Sequence, residues 1–291
     1  METTANYTEE ESKAIAREYK ELLRISYQTL TDEDKKVIRL AFDTAVNAHK
    51  NQRRKSGEPY IFHPIAVAKI VAQRIGLDAV SIAAALLHDV VEDTEYTNED
   101  IEQLFGKTIA HIVAGLTKIS HLSRENDISL QAENFRKLLL TMNDDVRVIL
   151  IKIADRLHNM QTMDSMAEYK QTKIASETLY IYAPIAHRIG LYNIKTELED
   201  LALKYTDPER YFMILGKMEE SKEEQQSYID AFTKIVETSL NEQKIDYYIK
   251  GRPKSIYSIN RKMESQGVTF EEVYDKFAIR IIYKSEPSEE K

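Results

Sequence analysis

Four side chains in this 291-residue chain are of types that bind divalent metal ions: His63, His88, Asp89 and Asp155. His88 and Asp89 follow an apolar run, where an ionised aspartate without a partner is costly to bury. Two imidazoles and two carboxylates together form a nitrogen and oxygen site that suits Mn²⁺, Fe²⁺, Zn²⁺ or Co²⁺. One such residue alone is more often structural, but the four together predict a metal centre.

Two acids follow these candidate ligands at the spacing of one helical turn. Glu92 is four residues after His88, and Asp93 follows Asp89 at the same interval. Side chains at this spacing lie on one helix face, where they could orient or deprotonate a water at the metal. Alternatively the two acids only end a helix, although acids at a helix C-terminus oppose its dipole. We therefore expect at least one of them to be catalytic.

A basic run, Arg53, Arg54 and Lys55, shortly precedes His63. Arginine binds phosphate through two parallel hydrogen bonds and stacks on bases. A phosphorylated substrate would fit such a loop beside a metal site. Without the metal site, an exposed charge run with no function is an equally good interpretation.

Composition excludes several other classes of site. The chain has 48 acidic and 40 basic residues and a net charge of −8, which disfavours a DNA-binding face but allows a local basic pocket. With no cysteine, disulfides, thiol catalysis and cysteine-ligated zinc are excluded. The N-terminus resembles no secretory signal, and the longest aliphatic run, 82–87, is far short of the roughly 18 residues of a membrane span. We expect a cytoplasmic protein with no membrane partner.

The elements that must position these side chains are mainly helices. Glycine and proline number only 8 and 6, which favours long helices over a turn-rich β fold. Residues 1–30 are predicted to form a charged, amphipathic segment. After them hydrophobic periodicity predicts a series of helices, and the polar composition of 121–129 predicts a loop. The helices lie at about 31–52, 64–75, 79–91, 98–105, 107–120, 130–142, 144–162, 168–188 and 191–205. Pro184 should kink a helix or mark a junction.

The pattern changes after about residue 207. A charged helical stretch over 208–241 precedes predicted strands at 244–249 and 277–283, with a loop at 251–254 and a helix at 255–263 between them. Two strands and one helix are too few for an independent α/β domain. We therefore predict a mainly α fold with a first domain over 1–205, and a helical linker with an incomplete α/β fragment over 206–291.

Several segments, in order along the chain, resemble the long Rel/Spo-type stringent-response enzymes. They are 54–64 (RKSGEPYIFHP), 85–94 (ALLHDVVEDT), 152–160 (KIADRLHNM), 182–190 (YAPIAHRIG) and 197–202 (ELEDLA). The resemblance implies an all-helical HD domain that removes pyrophosphate from the ribose 3′ position of (p)ppGpp with Mn²⁺. It assigns the metal to His63, His88, Asp89 and Asp155, and the activation of water to Glu92 and Asp93. It also assigns nucleotide contacts to Arg54, Lys55, Ser56 and Asn159, beside which Arg53 would offset substrate charge.

Two later segments, 251–259 (GRPKSIYSI) and 275–280 (DKFAIR), resemble the start of the same family's synthetase domain. Arg252 and Lys254 would match contacts to ATP phosphates, and Asp275 a Mg²⁺ ligand. Ser255 stands where many relatives have histidine. The family's later segment, with its guanine-stacking tyrosine and activating glutamate, is not in this sequence. We therefore expect no synthesis by this chain and interpret these residues as vestigial.

Two other functions stay open at this point. One is an HD phosphohydrolase of another nucleotide, and the other is a non-catalytic fragment that binds the alarmone and regulates. The incomplete synthetase fragment could also regulate the hydrolase within the chain. The remaining histidines are interpreted as structural: His49, His111, His121, His158 and His187.

Overall fold

Helix starts in the computed structural model coincide with capping residues that the sequence predicts. The Thr31 side chain accepts a hydrogen bond from the Asp34 backbone N–H, and Asp34 returns one, which forms a capping box. Asp78 caps the next central helix through the Ser81 backbone N–H at 3.0 Å. Such caps satisfy backbone donors that have no partner within the helix.

The structure describes residues 7–26, 30–123, 144–242 and 246–283. They divide into two compact units, Met1–Leu198 and Glu199–Lys291. The α-helices of the first unit are α1 Glu9–Ser26, α2 Asp32–Ala48, α3 Phe62–Ile70, α4 Ala79–Leu86, α5 Val90–Asp93, α6 Asn98–Phe105, α7 Lys107–Ser123, α8 Val146–Gln161, α9 Glu168–Glu177 and α10 Ala183–Arg188. Helix α11, Tyr192–Thr206, contains the boundary between the units.

Helix α4 lies at the centre of the first unit, as its apolar sequence predicts. It contacts α2, α3, α7 and α8, and nearly all its side chains are buried. Helices α7 and α8 meet at Gly115, where a Cβ atom would lie 2.9 Å from Cγ2 of Val148. Only glycine allows so close an approach between the two helices.

The predicted helix over 79–91 is wrong in its second half. Helix α4 ends at Leu86, residues 87–89 form a turn, and α5 begins at Val90. His88 explains the break, because its Nδ1 lies 2.8 Å from the Ala85 carbonyl and so satisfies an acceptor that a continuing helix would have used.

Other boundaries differ from prediction in smaller ways. Helix α2 ends at Ala48 rather than 52, and α7 continues to Ser123 rather than ending at 120. A π-helical segment, Thr178–Tyr182, separates α9 from α10 and places Pro184 in the first turn of α10, which confirms the predicted junction. A second π-helical segment, Val71–Ile75, extends α3 to Gly76. The predicted helix over 130–142 and most of the loop over 121–129 lie outside the described residues.

The second unit is built from helices and one two-stranded antiparallel sheet. Its elements after α11 are α12 Pro208–Glu220, α13 Lys222–Glu242, β1 Tyr247–Pro253, α14 Ile256–Gln266 and β2 Phe277–Tyr283. The predicted single helix over 208–241 is divided at Ser221. The hydrophobic cluster of the second unit consists of Leu203, Ile214, Ile256, Ile259 and Phe270.

The strand predicted at 244–249 extends beyond its predicted end, since β1 runs through most of the predicted loop at 251–254. Gly251 pairs with Ile279 and Pro253 with Phe277 along β2. The apolar and β-branched strand β2 therefore imposes pairing on residues whose own propensity favours a loop. In the part of the chain that the structure describes, no helix combines the length and apolar character needed to cross a membrane.

Candidate metal centre

Three separate elements bring the candidate ligands together. His63 lies at the start of α3, His88 and Asp89 lie in the turn between α4 and α5, and Asp155 lies in α8. Nε2 of His63 is 3.2 Å from Oδ1 of Asp155, and Nε2 of His88 is 3.8 Å from the same oxygen. These three residues are buried and offer ligand atoms within 4.8 Å of one another. The geometry can hold one metal ion.

Asp89 lies directly beside this group. Its Oδ2 is 2.9 Å from Nε2 of His88 and 3.7 Å from Nε2 of His63. The same oxygen accepts a 2.6 Å hydrogen bond from the hydroxyl of Tyr60. Tyr60 therefore fixes the position of the Asp89 carboxylate, a role that no local sequence pattern predicts.

Two further side chains orient the carboxylate of Asp155. Lys152, one helical turn earlier in α8, places Nζ 2.9 Å from Oδ2. Asn159, one turn later, donates a 2.7 Å hydrogen bond from Nδ2 to Oδ1. Burial raises the pKa of Asp155, but Lys152 and His63 outweigh it and hold that pKa well below its usual range. The Asp155 carboxyl is therefore anionic at neutral pH.

The surroundings of His88 favour a positive charge. Nδ1 of His88 lies 2.8 Å from a carbonyl oxygen, which can only accept, so Nδ1 carries the hydrogen and Nε2 faces the carboxylates. Burial lowers the pKa of His88, but Asp89 and Asp155 raise it to about 9 overall. Nε2 of His88 is buried and lies 2.9 Å from Oδ2 of Asp89, without a well-aligned hydrogen bond to the described residues. A divalent cation fits these donors, with its charge replacing that of the proton.

A cavity of about 780 Å³ adjoins the centre at Asp155. Of the described residues that line it, seven are basic and two acidic. The basic residues are Arg53, Arg54, Lys55, Lys152, Arg156, Lys170 and Lys173. In a chain of net charge −8, this concentration of positive charge would attract an anionic ligand.

The predicted nucleotide-binding residues take different positions around this cavity. Arg54, Lys55 and Asn159 line it. Arg53 also lines it, but its guanidinium pairs with Glu11, whose Oε2 is 3.1 Å from Nη2. Ser56 is exposed and is not among the described residues that line the cavity.

The two predicted catalytic acids lie in α5, the short helix that follows Asp89. Glu92 is half-buried, whereas Asp93 is exposed. Gln52 donates a 2.6 Å hydrogen bond from Nε2 to the backbone oxygen of Asp93, which ties α5 to the start of the loop between α2 and α3. Among the described residues that line the cavity, neither acid occurs.

His158 occupies a position that the sequence interpretation missed. Its Nδ1 lies 2.7 Å from Nδ1 of His63 and 3.3 Å from Nη1 of Arg54. Burial, together with His63 and Arg54, lowers the pKa of His158 to about 3, so the ring is neutral. The signal available in the sequence was its place three residues after Asp155, on the same face of a helix.

The synthetase-like residues lie in the second unit. Nζ of Lys254 is 2.6 Å from Oδ2 of Asp275, and Lys262 pairs with the same oxygen. These lysines hold the pKa of Asp275 at about 2. Arg252 is exposed in β1.

Comparisons with known proteins agree with this division. A family model described as an HD domain matches residues 41–192, and one described as a region found in RelA / SpoT proteins matches residues 251–291. A Myxococcus xanthus protein named GTP pyrophosphokinase is 45% identical over 260 residues, which cover 88% of this chain and 34% of the relative.

Two further relatives are similar to the same extent. A Synechocystis protein named probable guanosine-3′,5′-bis(diphosphate) 3′-pyrophosphohydrolase is 46% identical, with 84% of this chain and 32% of the relative covered. The Escherichia coli K12 protein named bifunctional (p)ppGpp synthase/hydrolase SpoT is 45% identical, with 88% and 36% covered. The chain thus spans about a third of the length of these relatives.

Proposed function

The chain belongs to the HD-domain family, and we propose on that basis that it removes pyrophosphate from the ribose 3′ position of (p)ppGpp in an Mn²⁺-dependent reaction. One observation carries the proposal: His63, His88 and Asp155 form a buried cluster, and Asp155 also lines a cavity that is rich in basic residues. Similar relatives named as (p)ppGpp hydrolases support the choice of substrate.

The metal would be held by His63, His88, Asp89 and Asp155. Nitrogen and oxygen ligands of this kind suit Mn²⁺ among other divalent ions. When bound, the ion would lower the pKa of water and polarise a phosphate oxygen.

The remaining residues act on the nucleotide and the attacking water. Arg54, Lys55 and Asn159 hold the nucleotide in the cavity, with help from Ser56 at its loop and Arg53 through its charge. Glu92 or Asp93 accepts the proton of the water that attacks the 3′-linked phosphorus. The bond from that phosphorus to the ribose oxygen breaks, the oxygen takes up a proton, and the products are GDP or GTP and pyrophosphate.

Release of pyrophosphate from ppGpp by the purified protein with Mn²⁺ tests this proposal. We expect the wild-type protein to release it and Asp89→Ala to be inactive. Activity that persists in Asp89→Ala would contradict the metal assignment. Faster turnover of another nucleotide in competition would favour a different phosphohydrolase, and binding of ppGpp without turnover would favour a regulatory fragment. Separate Glu92→Gln and Asp93→Asn variants would identify the essential acid.

For the second part of the chain, we propose regulation rather than synthesis. Comparison of hydrolysis by the whole chain and by a chain without residues 206–291 would test that role, and equal rates would contradict it. Three further statements stay predictions. They are the domain limits at 205 and 206, a cytoplasmic location, and the vestigial role of Arg252, Lys254 and Asp275.

A further inference from the structure

The guanidinium of Arg54 makes two hydrogen bonds at the edge of the metal centre. Nη1 lies 3.3 Å from Nδ1 of His158, and Nη2 donates to Oδ1 of Asn159 at 3.0 Å. Every N–H of a guanidinium donates and none of its nitrogens accepts. Nδ1 of His158 must therefore carry a lone pair, and its ring hydrogen must be on Nε2.

This assignment determines the state of His63. The Nδ1 atoms of His63 and His158 are 2.7 Å apart, a hydrogen-bond distance, and the lone pair of His158, which the more distant Arg54 N–H shares at 3.3 Å, is the acceptor. His63 must then carry its hydrogen on Nδ1. In a neutral imidazole with its hydrogen on Nδ1 the lone pair is on Nε2, and that atom of His63 is 3.2 Å from Oδ1 of Asp155. This is the tautomer that a metal ligand at Nε2 requires.

Arg54 orients a second ligand by the same logic. Because Oδ1 of Asn159 accepts from Arg54, the amide must present Nδ2 in its other direction. Nδ2 donates at 2.7 Å to Oδ1 of Asp155. One guanidinium thus supports His63 through His158 and Asp155 through Asn159.

We propose that Arg54 and His158 form a hydrogen-bond relay that fixes His63 in its metal-binding tautomer, which makes His158 a positioning residue. The inference rests on the proposed function only in that His63 is a metal ligand. It requires no nucleotide and no turnover, so a failure to hydrolyse ppGpp would leave it standing.

The test compares two variants whose side chains have the same number and branching of heavy atoms but differ in hydrogen-bonding capacity. Asn at position 158 keeps an acceptor near the position of Nδ1, whereas Leu has none. In calorimetric titrations with Mn²⁺ alone, we expect His158→Leu to bind roughly 10–100-fold more weakly than wild type, the usual effect of losing such a supporting partner. We expect His158→Asn to keep most of the affinity. His111→Leu, which removes an exposed histidine from a different cavity, is the control and should bind Mn²⁺ normally.

Two results would overturn the relay. One is wild-type affinity in His158→Leu, and the other is an equal loss in the Leu and Asn variants, which would indicate packing rather than an acceptor. Nitrogen-15 NMR of the metal-free wild-type protein at pH 8 needs no variant at all. It should show His63 with hydrogen on Nδ1 and His158 with hydrogen on Nε2, and the reverse assignment for His158 would contradict the proposal.

Discussion

Tyr60 illustrates how one hydroxyl can hold a carboxylate that we propose as a metal ligand. Burial raises the pKa of Tyr60, and the adjacent Asp89 carboxylate raises it further. The hydroxyl therefore stays protonated and remains a donor to Asp89 at neutral pH. Its ring also lies 4.9 Å from that of the buried His49.

Replacement of Tyr60 by phenylalanine should remove the hydrogen bond to Asp89 and keep the ring packing. We expect Tyr60→Phe to weaken Mn²⁺ binding roughly 10–100-fold, as measured by calorimetry, since supporting partners commonly have effects of this size. Tyr180→Phe, at a tyrosine that is 75% exposed, serves as the control. Unchanged Mn²⁺ affinity in Tyr60→Phe would show that Asp89 does not depend on this donor.

Residue type predicted part of this site, and long-range contacts supplied the rest. His63, His88 and Asp155 were candidates because their side chains are good ligands, and the structure brings them together. His158 was interpreted as structural because proximity to a site motif is weak evidence by itself, and its partner His63 is 95 residues away in the sequence. No local pattern reveals a contact over that distance.

At the scale of elements, α8 is the helix that organises the site. Lys152, Asp155, His158 and Asn159 recur at intervals of three or four residues and therefore share one helix face. Asp145 caps this helix through the Arg147 backbone N–H at 2.9 Å, and it also pairs with the Arg147 guanidinium at 2.7 Å.

The Asp145–Arg147 pair predicts a pH dependence of stability. Its hydrogen bonds to Arg147 lower the pKa of Asp145 below its ordinary value of 3.8. A carboxyl whose pKa is lowered in the folded state stabilises the protein at pH values above its ordinary pKa. That stabilisation is lost as the pH falls through the folded-state pKa. In urea unfolding, the free energy of unfolding of wild type should exceed that of Asp145→Asn by the largest amount at neutral pH. This difference should shrink below about pH 4. A gap that does not change with pH would contradict the ion pair.

The close approach of α7 and α8 predicts a compensating pair of substitutions. Gly115→Ala should lower the free energy of unfolding by about 1–3 kcal/mol, because its Cβ would overlap the buried Val148 side chain. Val148→Ala alone leaves a cavity. In the double variant the new methyl group occupies that space. The double variant should therefore lose less unfolding free energy than the two single variants lose in sum. Simple additivity in chemical denaturation would contradict the overlap.

Local signals predicted helix starts better than they predicted strand limits. Thr31 and Asp78 act within three residues of themselves, so their caps could be predicted from the sequence. The extent of β1 depends on pairing with β2, some 30 residues further along the chain. Gly251 and Pro253 favour a loop locally, and that tertiary pairing overrides them.

At the scale of the whole molecule, the metal centre and its cavity lie within the first of two compact units. That unit carries the match to the HD-domain family, and the second carries the RelA / SpoT region. We therefore expect a metal ion to stabilise one unit and not the other.

Thermal unfolding with and without Mn²⁺ tests this expectation. At 100 times its dissociation constant, a ligand that binds only the folded state adds about 2.7 kcal/mol of stability. For a unit of this size the midpoint should rise by roughly 5–10 °C. Chelation should reverse the shift, and Asp155→Asn should abolish it. An equal shift of every transition would contradict binding at a centre confined to residues 1–198.

The guanidinium of Arg54, which supports both His63 and Asp155, has a consequence for how the metal ion and the nucleotide influence each other's binding. It has five N–H donors, and its contacts with His158 and Asn159 leave others for a nucleotide phosphate. A phosphate held there would restrain the same group that supports His63 and Asp155. Because such coupling is reciprocal, the factor by which the ion tightens nucleotide binding is the factor by which nucleotide tightens ion binding. The supply of nucleotide would then set the fraction of protein loaded with metal.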